Sequence, residues 1–358
     1  MTNFPLSSAA TTLRLFGREI GPHHPALIIA EAGVNHNGDL ARALRLIEVA
    51  AEAGADAVKF QTFCADRLVT REAPKARYQL ETTDTGESQY EMLRRLELSQ
   101  ADHAALIAHC AQHGILFLST PFDEESAAML AELGVAAFKI PSGEITNLPF
   151  LSAVAAWQRP IILSTGMATE AEVRTAVECL RASGNGQLAL LHCVSNYPAE
   201  PADVNLRAMP AMASLFGVPV GFSDHTLGID IAAAAVALGA CIVEKHFTLD
   251  RALPGPDHRA SVEPEELAQL VRSIRRVESA LGHGRKEPAA SEANTAQVAR
   301  KSLVAARDLA AGTLLTEDAI GIKRPGTGLA PALRPQLVGR VLKSAVPAGT
   351  LFTWEHFA

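Results

Sequence analysis

A chain of 358 residues is long for one core and short for three, which favours one large domain with a smaller companion. A formal charge of -7, with acidic and basic residues interspersed, leaves no basic stripe for nucleic acid, so an anionic substrate has to be met by local positive charge. Five cysteines, Cys64, Cys110, Cys179, Cys193 and Cys241, are scattered, odd in number and never spaced as CxxC, which argues against a disulfide framework or zinc ribbon and for a reducing cytoplasm. The first residues lack a basic segment leading into an apolar core, and no apolar stretch is long enough to span a bilayer, so neither a signal peptide nor a membrane partner is expected.

Short apolar runs alternate with longer amphipathic stretches, the βα rhythm of a parallel sheet covered by helices. Eight such runs follow in order: Leu27 to Ala30, Ala57 to Phe60, Ile115 to Leu118, Ala136 to Ile140, Ile161 to Leu163, Leu188 to Leu191, Val218 to Phe222 and Cys241 to Val243. Eight units in about 250 residues are the size of a closed (β/α)8 TIM barrel, giving an α/β fold class. Helix signals lie between the runs. Asp39 opens a helix to about Ala53 that Gly54 closes; Asp123 to Leu133 ends at Gly134, Thr169 to Ser183 at Gly184, and Glu263 to Leu281 at Gly282. The segment Cys64 to Gln89 is too long and polar for an ordinary βα loop, and long loops on compact domains are often functional.

The barrel domain is therefore expected over residues 1–282, a polar, alanine-rich linker with one helical turn over 283–299, and a small β-rich domain over 300–358. The small domain carries a faint repeat, Ala311-Gly-Thr-Leu-Leu-Thr matching Ala348-Gly-Thr-Leu-Phe-Thr, which suggests pseudo-twofold character.

In a (β/α)8 barrel the residues just past each strand line one mouth. Here nearly every strand ends in polar groups: Glu31, Lys59 with Gln61, Ser119 with Thr120, Lys139 with Ser142 and Glu144, Ser164 with Thr165, His192 with Ser195 and Tyr197, Ser223 with His225, and Glu244 with His246. His225 and His246 follow adjacent strands about 4.8 Å apart, so two imidazoles can converge on one ion. Two protein nitrogens leave several positions open, which suits octahedral Mn2+ or Mg2+ better than a closed structural zinc site. The remaining histidines, including His109 and His113, read as loop, helix or terminal residues. Lys59 and Lys139 supply positive charge, and the hydroxyls of Thr120, Ser142, Ser195 and Ser223 complete a phosphate cradle. Schiff-base chemistry by one lysine is the rival reading, but it leaves the histidine pair without a task.

These residues stand in strings that resemble the sialic acid synthase family: EAGVNHNG from Glu31, KFQTF from Lys59, STPFD from Ser119, KIPSGE from Lys139, STGMA from Ser164, HCVSNYP from His192, FSDHT from Phe222, EKHFT from Glu244, GPDH from Gly255, ARKSL from Ala299 and KRPGTG from Lys323. Each string alone is weak; their order along the chain is specific. The resemblance implies a TIM barrel followed by an antifreeze-like SAF domain. It also implies condensation of phosphoenolpyruvate with an N-acetylmannosamine-type sugar and water, to give N-acetylneuraminic or N,N'-diacetyllegionaminic acid and phosphate.

Position by position, His225 and His246 match the family's metal ligands for Mn2+, with Mg2+ or Co2+ as alternatives. Lys59, Thr120, Lys139, Ser142 and Ser223 match phosphoenolpyruvate-binding positions, and Gln61, Glu144, Tyr197 and Asp257 match positions near the sugar. Glu31 is the candidate for orienting or deprotonating the attacking water. Ser195 departs from the asparagine of some members, with Asn196 beside it. Arg324 matches a position that completes the sugar site from a domain-swapped homodimer partner. Two alternatives stay open: a phosphoenolpyruvate-using 3-deoxy sugar-phosphate synthase, and a non-catalytic glycan-binding protein.

Overall fold

Strands buried on both faces read as unbroken apolar runs, and eight of them assemble into one parallel sheet in the computed structural model of this chain. Residues 12–84 and 86–358 are described; residues 1–11, where the expected barrel domain begins, and residue 85 lie outside them. The chain divides into two units, Met1–Gly282 and His283–Ala358. No helix among the described residues is long and apolar enough to cross a membrane.

The larger unit opens with a hairpin of β1 (Leu13–Leu15) and β2 (Arg18–Ile20), joined through Phe16 and Gly17, both at positive φ. The barrel strands are β3 (Leu27–Gly33), β4 (Ala57–Thr62), β5 (Leu116–Pro121), β6 (Phe138–Ile140), β7 (Ile161–Ser164), β8 (Leu188–Cys193), β9 (Val220–Asp224) and β10 (Ile242–His246). Their ladder order is β5-β4-β3-β10-β9-β8-β7-β6, and β6 returns to lie beside β5, so the TIM-type barrel closes by contact at that one seam. The helix boundaries follow the capping chemistry. Asp39, Asp123 and Thr169 accept backbone N–H bonds at the starts of helices Leu40–Glu52, Glu124–Glu132 and Glu170–Ala182, and Gly54, Gly134 and Gly184 follow their ends at positive φ.

Alternation along each strand separates two cores. Ile28, Ala30, Val58, Phe60, Phe138 and Leu190 point outward against the helices. Leu27, Ile29, Ala57, Leu118, Ala137, Ile162, Ala189, Leu191 and Ile242 point inward, and the hairpin's Leu13, Leu15 and Ile20 pack against them as a plug. Inside the barrel there is no room for a side chain at Gly221, where a Cβ would sit 2.4 Å from the Ile242 carbonyl oxygen. Every barrel strand but β6, which ends with its run at Ile140, continues one to three residues past its apolar run, because the inward positions turn polar before the ladder ends. The hairpin has no counterpart in the sequence reading, although the alternation LRL-FG-REI is its signal.

The segment after β4 folds into three short helices, Ala65–Leu68, Arg77–Thr82 and Gln89–Arg94. Buried Lys75 pins it, donating to Thr83 Oγ1, the Asp84 carbonyl and Glu87 Oε1 at 3.0, 2.7 and 3.0 Å.

In the smaller unit, 283–299 holds a seven-residue helix, Ala293–Ala299, longer than the single turn read from sequence. Then β11 (Ser302–Ala305) pairs antiparallel with β12 (Ile320–Lys323). The repeat is visible in its hydrogen bonds: Gly312 N–H donates to the Leu342 carbonyl as Gly349 N–H does to that of Ala305, and Leu309 and Val346 exchange both bonds. Equivalent residues of the two halves thus pair with each other, as pseudo-twofold symmetry requires.

Candidate active site at the barrel mouth

Two residues beyond the inward apolar layer, the same register places Glu31, Lys59, Thr120, Lys139, Ser164, Cys193, Ser223 and Glu244 inside the barrel, and one step further Gln61, His225 and His246. They line a cavity of about 370 Å³, which the segment after β4 borders with Leu68, Val69, Tyr78 and Gln79.

Lys59 Nζ sits at the centre of the charge network, 2.8 Å from Glu31 Oε2, 2.9 Å from Thr120 Oγ1 and 3.8 Å from Glu244 Oε2. Lys139 Nζ lies 3.3 Å from Glu244 Oε1, which also accepts from Ser223 Oγ at 3.1 Å. Burial pushes both carboxyls upward. For Glu244 the two lysines together outweigh it and hold the acid below its usual range. For Glu31 burial wins over Lys59, and its pKa rises. Burial lowers Lys139, whereas at Lys59 the attraction of Glu244 and Glu31 overcomes burial and the pKa rises. One carboxylate is thus a fixed counter-ion and the other a group able to trade a proton near neutrality.

Beside the lysines is a cradle built on a glycine. Gly166 N–H donates to Ser142 Oγ at 2.9 Å, and Ser142 Oγ lies 3.1 Å from Cys193 Sγ. A Cβ on Gly166 would fall 2.2 Å from Ser195 Oγ and 2.8 Å from Ser142 Oγ, so only glycine lets this backbone approach the two hydroxyls.

The imidazoles of His225 and His246 have ring centroids 5.5 Å apart, with Tyr197 packed on both at 4.1 and 5.5 Å. His225 Nδ1–H donates to the Val194 carbonyl at 2.6 Å, which only accepts, and Ser223 Oγ, 3.4 Å from Nε2, gives its proton to Glu244 Oε1, so the Nε2 lone pair is left available. Burial pushes His225 down to about 4 and, helped by repulsion from His225, holds His246 well below the usual imidazole range. Both rings are therefore neutral at neutral pH, the form that ligates metal. His246 Nδ1 is a buried atom with no hydrogen-bond partner, and Asp257 Oδ2 lies 3.8 Å from it. Burial raises Asp257 to about 6. Two free imidazole nitrogens with a carboxylate at hand fit a divalent cation that takes its remaining ligands from substrate and water.

The cavity gathers Glu31, Lys59, Gln61, Thr120, Lys139, Ser142, Ser195, Tyr197, Ser223, His225, His246 and Asp257. Glu144 is not among its walls: it lies in the turn Ser142–Glu144 with its carboxylate accepting from Asn147 Nδ2 at 2.7 Å. Arg324 belongs to the smaller unit. Glu244 is the counter-ion of both lysines, a role that its place among the strand-end residues did not reveal. Cys193, Gly166 and Tyr78 were missed. Tyr78 packs against Tyr197 with centroids 5.1 Å apart and the rings tilted by 36°. Register would have found Cys193, two residues past inward Leu191. The same register excludes Ser119 and His192, which face outward; His192 Nε2 is bonded to the Val204 carbonyl at 2.6 Å.

Comparison with known proteins gives two family matches, the NeuB family over residues 46–286 and the SAF domain over residues 300–358. The chain is 49% identical over 340 residues to an N,N'-diacetyllegionaminic acid synthase of Legionella pneumophila, covering 94% of this chain and 96% of that protein. It is 50% identical over 317 residues to the enzyme of the same name from Campylobacter jejuni, covering 88% and 95%. A solved structure of an N-acetylneuraminic acid synthetase from Leptospira borgpetersenii matches with a TM-score of 0.70 at 40% identity, covering 80% of this chain and 95% of that one.

Proposed function

The chain belongs to the NeuB family and ends in a SAF domain, and we propose from this that its barrel mouth condenses phosphoenolpyruvate with a six-carbon N-acylated sugar, water and C–O cleavage yielding a nine-carbon sugar acid and phosphate. It is a nonulosonic acid synthase of the sialic acid type. Near-50% identity along nearly the whole length of two legionaminic acid synthases carries the finer reading, that the product is N,N'-diacetyllegionaminic acid.

Lys59 and Lys139 meet the charges of phosphoenolpyruvate, exchanging part of their pairing with Glu31 and Glu244 for phosphate and carboxylate. The hydroxyls of Thr120, Ser142, Ser195 and Ser223 direct its oxygens, with Ser142 Oγ held by the Gly166 amide. Gln61, Tyr197 and Asp257 orient the sugar so that its aldehyde faces C3 of phosphoenolpyruvate, with Arg324 as a further sugar contact. A divalent cation, Mn2+ in the first place, would be held by His225 and His246 and would polarise the aldehyde as a Lewis acid. Glu31, kept basic by burial, takes the proton of the water that adds at C2, and the tetrahedral product collapses by breaking the C–O bond to phosphate. The enzyme works as a homodimer in the cytoplasm, each SAF domain serving its partner's barrel.

Phosphate release from phosphoenolpyruvate, measured against N-acetylmannosamine, its 6-phosphate and a 2,4-diacetamido aldohexose, tests this reading. Turnover is expected with the diacetamido sugar above the others. Preference for the sugar phosphate would assign the chain elsewhere in the family, and no turnover with any would overturn the enzymatic reading.

A further inference from the structure

Glu48 lies in the helix Leu40–Glu52 after β3, and His109 and His113 one turn apart in the helix Gln100–His113 that leads into β5. Barrel helices run against their strands, so residues near helix C-termini stand at the rim where strands begin, opposite the mouth. None of the three lines the cavity.

The three side chains converge. His109 Nε2 is 3.3 Å from Glu48 Oε1, the two imidazoles have centroids 4.5 Å apart, and one ligand atom from each residue lies within 4.8 Å of the others. The second oxygen, Glu48 Oε2, is held 2.7 Å from Arg45 Nη1, which fixes the carboxylate and leaves Oε1 facing the histidines. An ion pair between Glu48 and His109 explains that contact but gives His113 no part in it. Two imidazoles and one carboxylate with an open fourth position form the donor set of three-ligand zinc sites. Around a tetrahedral ion the donors stand roughly 3.3 Å apart, so closure asks for a modest turn of His113, an exposed side chain free to make it.

We propose that Glu48, His109 and His113 form a second metal site on this protein, selective for transition metals of the Zn2+ class and clamping two neighbouring barrel helices. Its nitrogen ligands place it apart from Mg2+ and Ca2+, which favour all-oxygen shells. The site stands whether or not the mouth catalyses the proposed condensation.

Equilibrium dialysis of the full chain against Zn2+, with metal analysis, reads the stoichiometry. The wild type is expected to hold one zinc per chain more than His113→Ala or Glu48→Gln, each variant weakening the rim by more than the roughly 10–100-fold that losing an outer-shell partner costs. The double variant His225→Ala/His246→Ala should keep the rim ion and, loaded with Co2+, its visible absorption. Zinc should raise the melting temperature of the wild type and not that of His113→Ala. Because His113 is exposed and remote from the mouth, that variant should turn over at the wild-type rate. Equal zinc stoichiometry and equal thermal shift in wild type and His113→Ala would overturn the proposal.

Discussion

Gly166→Ala adds one methyl group, yet the site has no space for it. The new Cβ would lie 2.2 Å from Ser195 Oγ, 2.8 Å from Ser142 Oγ and 2.9 Å from Cys193 Sγ, all below the 3.0 Å that real Cβ atoms keep. Backbone strain is not the issue, since this glycine is absent from the residues at positive φ. Relief requires both serines to leave their rotamers or the Gly166 amide to withdraw from Ser142 Oγ, now 2.9 Å away. Either movement removes a donor from a charged ligand, worth about 1.5–3 kcal/mol, or about 10- to 150-fold in kcat/KM for phosphoenolpyruvate. Phosphate release at saturating sugar and varied phosphoenolpyruvate reads the effect, and the sugar's KM should barely change. The double variant Gly166→Ala/Ser195→Ala relieves the closest clash and should regain part of the loss. An unchanged KM for phosphoenolpyruvate, in a protein with the wild-type melting temperature, would refute the cradle.

Removing divalent metal should abolish turnover and Mn2+ should restore it, while His225→Ala, assayed by calorimetry, should still bind phosphoenolpyruvate if the lysines hold the anion. Glu31→Gln should lower kcat by about 10²–10⁴-fold and erase the limb on which activity rises with pH. That limb reports the acid losing its proton, and burial sets it above the usual carboxylate range. Asp56 ties three elements together, accepting from Arg18 at 2.7 Å, Arg275 at 2.8 Å and the Ile28 amide at 2.7 Å. Asp56→Ala should cost about 1.5–3 kcal/mol in thermal or urea unfolding and leave kcat unchanged. Mixing inactive Arg324→Ala with inactive His246→Ala under subunit exchange should restore activity if the small domain serves the partner's barrel; no recovery after proven exchange would place Arg324 outside it.

The barrel was legible because strands buried on both faces have to be apolar, and because caps such as Asp39 and Thr169 with Gly54 and Gly184 mark helix ends by local chemistry. The strand ends were not. Ile242 and Val243 announce β10, but Glu244 and His246 belong to the same ladder, and an apolar run stops where the site begins. The hairpin was missed because its strands are only three residues long and half of their six residues are polar.

Within the site, residue type found the groups whose chemistry is unusual and passed over those whose position is. Two lysines and two histidines in a barrel mouth call for explanation on identity alone. Cys193 and Gly166 do not, and what distinguishes them is the pleat. Counting in twos from Leu191 brings Cys193 inward and leaves His192 outside, bonded to a backbone carbonyl. The same count sends Glu244 inward between Lys59 and Lys139, and Lys245 outward to Asp224 at 2.9 Å. Adjacent polar residues thus divide between the cavity and the packing outside it by parity alone. Glu144 escapes this count because it sits on a turn beyond the last residue of β6, where the pleat no longer dictates direction and Asn147 claims its carboxylate.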